Sequence, residues 1–277
     1  MDFFYLHIPK TAGSFFNQFL HTNIESFLEH IEVKIDLENE TDILKLSQYQ
    51  SFSGHVVLPR VQNKFLHRFP KKVITILRNP IEQLISHITF VRELAEESEK
   101  NRFVNHSRVI QELALYLKSL DFTNPNEFIK LIDWLEKNEV WLFHDCQTRY
   151  LGNGKGAIQP DNLDLALKNL ESIEYIGISE RLQEFMVLLA HKESLKVIES
   201  TKVNATKRRY GLDINNEATV RALYPLIKND KIVYRIARQR FIKDLHELMS
   251  QLEIAQVPRY STVKIDMLYN ELYKNSK

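Results

Sequence analysis

The sequence predicts an α/β fold: a parallel sheet flanked by helices, formed as one domain over residues 1–277 with a helical insertion at about 96–170. Three observations predict it. Short apolar runs at 3–8, within 71–80 and at 175–178 read as buried strands. Each run leads into a segment with helical spacing, and this alternation implies crossover connections and a parallel sheet covered on both faces. Hydrophobic residues make up 44% of the 277-residue chain and charged residues 26%, an ordinary globular composition with ample material for a core.

The elements follow in order. The run "FFYLHI" at 3–8 is stopped by Pro9, and "SFFNQFLHT" at 14–22 is helical, with Ser14 as its cap. "IEVKID" at 31–36 alternates like a strand, and "FSGHVV" follows at 52–57. "KKVITILRNP" at 71–80 is a buried strand ended by an Asn-Pro turn, and a helix over 80–94 starts with that proline. "NPNEFIKLIDWLEKN" at 124–138 opens with an Asn cap and a proline, and "DNLDLALKNLESI" at 161–173 is amphipathic. "YIGI" at 175–178 is a strand, followed by the helix "SERLQEFMVLLAHK". A polar basic loop, "STKVNATKRRYG" at 200–211, precedes a last long helix over 228–252. Repeats and low-complexity linkers are absent from the sequence.

Charge and composition exclude several classes. A net charge of +1 predicts neither a nucleic-acid coat nor an acidic tail, so electrostatic specificity is local. The one cysteine, Cys146, cannot form an internal disulfide; it suits a reducing compartment and reads as a small buried apolar residue. No window reaches the ~18 apolar residues of a membrane span, and no signal peptide is read, so a cytoplasmic location is expected. The ten histidines show no His-Glu-x-x-His pattern, and neither a thiolate cluster nor a calcium-spaced acidic loop is present; no metal is expected.

The stretch "IPKTAGS", 8–14, carries the first chemistry. A strand, a tight turn and a helix start leave backbone N–H groups unpaired where the helix dipole favours negative charge. Gly13 lets backbone approach a ligand, Thr11 and Ser14 offer hydroxyls, Lys10 adds a point charge, and Ala12 completes the turn. The turn suits a phosphate or sulfate, and equally reads as a surface turn with a solvated lysine. The lysine precedes the glycine, so the Gly-x-x-x-x-Gly-Lys-Ser/Thr loop of ATPases is not present. A second strand, turn and helix, "VITILRNPIEQLISHI" at 73–88, places Arg78 at the strand end and Ser86 two turns into the helix. The Arg fork can grip a phosphate and the serine can add a hydrogen bond; an ion pair and a helix-face hydroxyl are the plain alternatives.

On these residues the chain resembles carbohydrate sulfotransferases that use 3′-phosphoadenosine-5′-phosphosulfate (PAPS), and is similar to the heparan and dermatan uronyl 2-O-sulfotransferases. "LHIPKTAGS" resembles their 5′-phosphosulfate loop and "LRNPIEQLISH" their 3′-phosphate motif, Arg-Asp-Pro-x-x-Arg-x-x-Ser. "SGHV" at 53–56, "CQTRYLG" at 146–152, "YIGISERLQEFMVLL" at 175–189 and "KVNAT…DKIVYRIARQRF" at 202–241 are weaker likenesses. Asn79 stands for the usual Asp, Gln83 for a common Arg, and Thr-Ala-Gly-Ser for the commoner Thr-Gly-Gly-Thr, a change expected to matter little.

The resemblance implies a P-loop-nucleotide-kinase-like sulfotransferase fold and sulfuryl transfer from PAPS to a carbohydrate hydroxyl, without a metal. Lys10 would stabilise the departing bridging oxygen and His55 would be the base; Thr11, Ala12, Gly13 and Ser14 would cradle the 5′-phosphate. Arg78 and Ser86 would hold the 3′-phosphate, with Thr206 near it or near the adenine; Lys207 and Arg208 could add charge there or form a solvated basic face. His55 also reads as a hydrogen-bonded structural histidine, and His7 as a packed one. The stretch 60–72, "RVQNKFLHRFPKK", holds five bases and no acid, so it could attract an acidic polysaccharide through Arg60 and Lys64; it also reads as a solvated helix face. Gln147 and Arg149 could line the acceptor cleft or brace a helix against the sheet. The competing class is a protein that binds PAPS, its product 3′,5′-adenosine bisphosphate (PAP) or an anionic glycan without turnover; a nucleotide kinase is disfavoured by the lysine placement.

Overall fold

Five short strands, β1 (Phe3–Leu6), β2 (Phe27–Leu28), β3 (Ser51–Gly54), β4 (Lys72–Leu77) and β5 (Tyr175–Ile178), pair in parallel in the order β2-β3-β1-β4-β5. The computed structural model describes residues 2–154, 160–197 and 210–251. β1 and β5 are buried throughout, which is why their sequences read as unbroken apolar runs rather than alternating ones. Tyr5 pairs with Ser53 on one side and Ile74 on the other, so β1 is the central strand.

Helices flank the sheet. α1 (Gly13–Asn23) follows β1, and α2 (Ile31–Lys34) and α3 (Glu40–Leu46) lie between β2 and β3. α4 (Leu58–Val61), running into a π turn, precedes β4, and α5 (Pro80–Glu93) follows it. α6 (Lys100–Val104), α7 (Arg108–Ser119), α8 (Asn126–Lys137), α9 (Cys146–Leu151) and α10 (Pro160–Ser172) separate α5 from β5. α11 (Leu182–Glu193), α12 (Glu217–Leu223) and α13 (Lys228–Gln251) complete the described fold. Among the described residues no helix is long and apolar enough to cross a membrane.

Two apolar cores form. The first joins the sheet to α1, α9, α10, α11 and α13, with Phe16, Phe185 and Phe241 packed in series. The second joins Leu84 and Ile88 of α5 to Leu113 of α7, Leu131 of α8 and Leu223 of α12. The segment 96–170 is thereby divided: α7 and α8 belong to the second core, while α9 and α10 belong to the first. Cys146 is buried in the first core, and burial pushes its thiol up to about 12, as an inert apolar residue requires.

Two local expectations are corrected. "IEVKID" forms the single-turn helix α2, not a strand: His30 adopts a left-handed φ of 58° that turns the chain, and Ile31 and Ile35, four apart, both bury. Ser14 is not the cap of α1; Ala12 is, and Ser14 lies inside the first turn. The segment "FSGHVV" contributes its first residues to β3, which ends at Gly54 and leaves His55 beyond it.

The topology fixes where a site can lie. From β1 the chain moves out to β2, returns to β3 beside β1, then crosses to β4 on the other side. The strand order therefore reverses at β1, and the loops after β1, β3 and β4 meet at the carboxyl edge, where open α/β sheets bind ligands.

Candidate active site

Residues 7–14 leave β1 in a strained turn. Lys10 and Ala12 have φ of 66° and 73°, a left-handed conformation that costs a residue with a Cβ ~1–2 kcal/mol. Thr11, fully buried, donates its hydroxyl to the Ile8 carbonyl at 2.9 Å. α1 then starts with no side-chain cap and no acid in its first turn, so its amino end keeps its positive dipole. Ala12 and Ser14 are exposed there.

The second strand–turn–helix holds this turn in place. Arg78, at the end of β4, donates to the Lys10 carbonyl at 3.2 Å and pairs with Glu82 at 3.4 Å. Gln83 donates to the Pro9 carbonyl at 2.9 Å, so the residue standing where the resembled motif has Arg braces the loop. Asn79 caps α5 by accepting from the Ile81 N–H at 3.2 Å. Ser86 is buried on the same helix. The structure thus brings Lys10, Thr11, Ala12, Gly13, Ser14, Arg78 and the Ser86 helix together.

Gly13 has a different immediate role from the one expected. The space over it is filled by the His7 ring: a Cβ at position 13 would stand 1.7 Å from His7 Nε2. The glycine admits an imidazole.

His7 in turn meets His55, with ring centroids 4.0 Å apart. His55 Nδ1 lies 2.6 Å from the His7 carbonyl oxygen, which can only accept, so Nδ1 carries the proton and Nε2 the lone pair. The His55 N–H donates to Glu32 Oε2 at 2.9 Å, and Gly54 makes room for that carboxylate, since a Cβ there would lie 2.7 Å from it. Burial lowers the His55 pKa, against the pull of Glu32. Burial, with the neighbouring His55, His30 and Lys10, lowers His7 to about 2.

His30 is a residue that sequence reasoning missed. Its Nδ1 lies 3.1 Å from Glu32 Oε1, and its ring is 5.9 Å from His7 and 5.7 Å from His55. One ring nitrogen from each of the three histidines falls within 4.8 Å of the others. Positions 7, 30 and 55 have no common spacing; the pairing of β3 with β1 on one side and with β2 on the other gathers them.

Lys10 and His55 make no hydrogen bond with each other. The Lys10 ammonium sits over the Phe90 ring, 4.5 Å from its centroid, and burial lowers its pKa. Both groups act on buried His87, which stands edge-on to Phe143 and has no partner for its Nδ1.

His55 opens on a groove of about 1020 Å³ between α2 and the start of α4, closed by Asn153 and Gly154. Its described walls carry Glu32, Asp36, Glu38 and Asp42 against Lys34 and Arg60. Arg60 and Lys64 both pair with Glu38, at 3.1 and 2.5 Å. Arg68 pairs with Glu40 and Lys72 with Glu193, while Lys71 donates to the carbonyls of Tyr49 and Gln50. The stretch 60–72 is therefore a compensated surface, not a bare cationic one.

Gln147 and Arg149 take the bracing role. Gln147 is fully buried and exchanges two 2.9 Å hydrogen bonds with the Arg78 backbone. Arg149 donates to the Trp141 carbonyl and, at 2.9 Å, to that of Gly154. Thr206 and Lys207 lie outside the described residues.

No protein-family model matches the chain, and no curated protein matches it.

Proposed function

We propose that this chain is a sulfotransferase of the P-loop-nucleotide-kinase-like fold that moves a sulfuryl group from PAPS to a carbohydrate hydroxyl, with no metal needed for transfer. One observation carries the reading: the left-handed turn before uncapped α1 is joined by Arg78 and Gln83 to the start of α5, at the sheet edge where His55 holds an available lone pair. Amides around left-handed residues form a concave anion seat, and the helix end adds its dipole.

Bound PAPS supplies an activated sulfuryl group. The amides of Thr11 to Ser14 hold its 5′-phosphate, and Arg78 and Ser86 face the 3′-phosphate, with Thr206 assigned by resemblance to that phosphate or the adenine and Lys207 adding charge beside it. Lys10 moves from Phe90 to neutralise the bridging oxygen as charge develops. His55 Nε2 takes the acceptor proton, because its Nδ1–H is engaged by the His7 carbonyl. Fixed cations and N–H groups suffice for in-line transfer at this centre. The acceptor lies in the groove beside His55. With four carboxylates against two cations on its described walls, a neutral sugar fits better than the acidic polysaccharide that the basic stretch suggests.

The test incubates the protein with PAPS and a panel of neutral and acidic glycans and follows PAP by mass spectrometry. Release is expected with a neutral acceptor. Lys10→Met and His55→Gln should each lower turnover by about 10²–10⁴-fold while PAP binding, measured by calorimetry, holds. Tight PAP binding with no release for any acceptor supports the second reading, a PAPS or PAP binding protein, which the seating of Lys10 on Phe90 favours. Failure to bind PAP at all overturns both.

A further inference from the structure

We propose that His7, His30 and His55 bind a zinc ion, and that zinc there acts as an inhibitor by occupying the lone pair of His55. The inhibition clause rests on the function proposed above; the binding clause does not.

The ligand set comes from separate places in the fold: just past β1, the turn before α2, and just past β3. One ring nitrogen of each lies within 4.8 Å of the others. Three nitrogens around tetrahedral zinc, each at ~2.0–2.1 Å from the metal, sit ~3.3 Å apart, so binding asks for modest ring movement. His30 and His55 are only partly buried and can supply it. An all-imidazole set suits zinc among the metals common in proteins.

The surroundings already have the form of an outer shell. A metal-bound histidine donates its other ring N–H to a carboxylate or carbonyl, which fixes the tautomer. His55 Nδ1 does this to the His7 carbonyl at 2.6 Å, and His30 Nδ1 faces the Glu32 carboxylate at 3.1 Å. Both leave Nε2 as the metal-binding atom. Glu32 also receives the His55 backbone N–H, so a single carboxylate orients two of the three ligands. Independently, His7 is 5% exposed and its Nδ1 is buried with no hydrogen-bond partner. A buried imidazole nitrogen without a partner calls for an explanation, and a metal bound at Nδ1 itself would supply the missing partner.

With three protein ligands the ion keeps an open position, as in sites that exchange a small ligand and unlike closed structural sites. His55 and Glu32 line the groove, so that position is reached from the acceptor side. An imidazole whose Nε2 is bound to zinc cannot accept a proton. Occupancy of the site therefore stops transfer without touching the turn at 9–14.

The experiment titrates zinc chloride into the tag-free full chain by calorimetry and repeats it with cobalt(II), whose visible bands report tetrahedral nitrogen ligation. One zinc per chain is expected, with cobalt bands that zinc quenches. His30→Gln, at a partly exposed position, should weaken binding at least ~10-fold, and Glu32→Gln by ~10–100-fold as an outer-shell change. Circular dichroism establishes that both variants remain folded. Zinc binding that is absent, or equally tight in native protein and both variants, overturns the site. In the PAP-release assay, zinc should inhibit the native chain and require at least ~10-fold more metal against His30→Gln. Stoichiometric zinc binding without inhibition overturns the inhibition clause alone. If no acceptor supports release, the titrations still decide the site.

Discussion

At position 12 the chain holds an alanine in a conformation that favours glycine, and at position 13 a glycine in one that does not require it. The alanine of Thr-Ala-Gly, where the resembled motif has Thr-Gly-Gly, falls on the left-handed residue, so a difference expected to matter little carries strain. Ala12→Gly should stabilise the fold by about 1 kcal/mol and raise Tm by about 2 °C, the relief of strain outweighing the added freedom of the unfolded chain. Gly13→Ala should do the reverse, by about 1–3 kcal/mol, because its Cβ would stand 1.7 Å from His7 Nε2. Thermal denaturation of the pair checks both signs. A second residue-scale prediction concerns His87. Burial, with the charges of Lys10, His55 and Arg149, lowers its pKa to about 3. An unfolded chain takes up a proton there below about pH 6.5, while the folded one does not until about pH 3. This residue thus removes stability as pH falls, by about 2 kcal/mol between pH 7 and pH 5. His87→Gln should lose that increment, read as the difference between the two proteins' denaturant midpoints at the two pH values.

At the scale of elements, two buried carboxylates tie α9 to α13. Asp230 accepts the N–H groups of Gln147 and Thr148 and the Thr148 hydroxyl, at 3.1, 2.7 and 2.7 Å. Asp145 accepts the N–H groups of Asn229 and Asp230, at 2.8 and 2.9 Å. Each acid caps the helix of the other. Burial raises both pKa values, to about 7 for Asp145 and about 6 for Asp230, so this pair opposes the slope from His87 as pH rises. Asp230→Ala leaves two buried amides without acceptors and should cost about 2–4 kcal/mol, with Asp230→Asn intermediate; urea titration reads both. None of this was legible in the sequence, since Asp145 and Asp230 are 85 residues apart. Legibility followed locality. β1 and β5 are apolar runs buried throughout, β4 is buried from Ile74 to Leu77, and α5 opens on Asn79-Pro80 with its cap signal intact, so these elements are legible in the sequence. "IEVKID" satisfies both the strand period and a single helical turn, and His30, which decides between them, carries no local signal. The strained turn at 8–14 is legible because its residues are consecutive. His30 beside His55, and Glu38 beside Arg60 and Lys64, were not, because tertiary pairing alone makes them neighbours.

At the scale of the molecule, charge is arranged by compensation. The five bases of 60–72 meet Glu38, Glu40, Glu193 and two backbone carbonyls, and the groove beside His55 is left with an acidic lining. Exposed pairs of this kind contribute little to stability, so their removal is tolerated. Glu38→Gln with Glu40→Gln should leave the melting temperature nearly unchanged. It should tighten binding to an acidic glycan about two- to fivefold at low salt, an effect that fades as ionic strength rises. Fluorescence anisotropy with a labelled acidic oligosaccharide measures it, and unchanged binding would show that the pairs do not mask these cations. α5 has a corresponding double duty: its start braces the turn at 9–14, and Leu84 and Ile88 anchor the second core.

The sheet's margin next to β3 has a consequence for how the protein behaves in a crowd. β2 is two residues long, Phe27–Leu28, so a neighbouring polypeptide finds almost no ladder there to continue. That side of the molecule is blunted against strand-by-strand stacking and fibril growth, and lengthening it by a residue or two of extended backbone is the kind of change that would remove the protection.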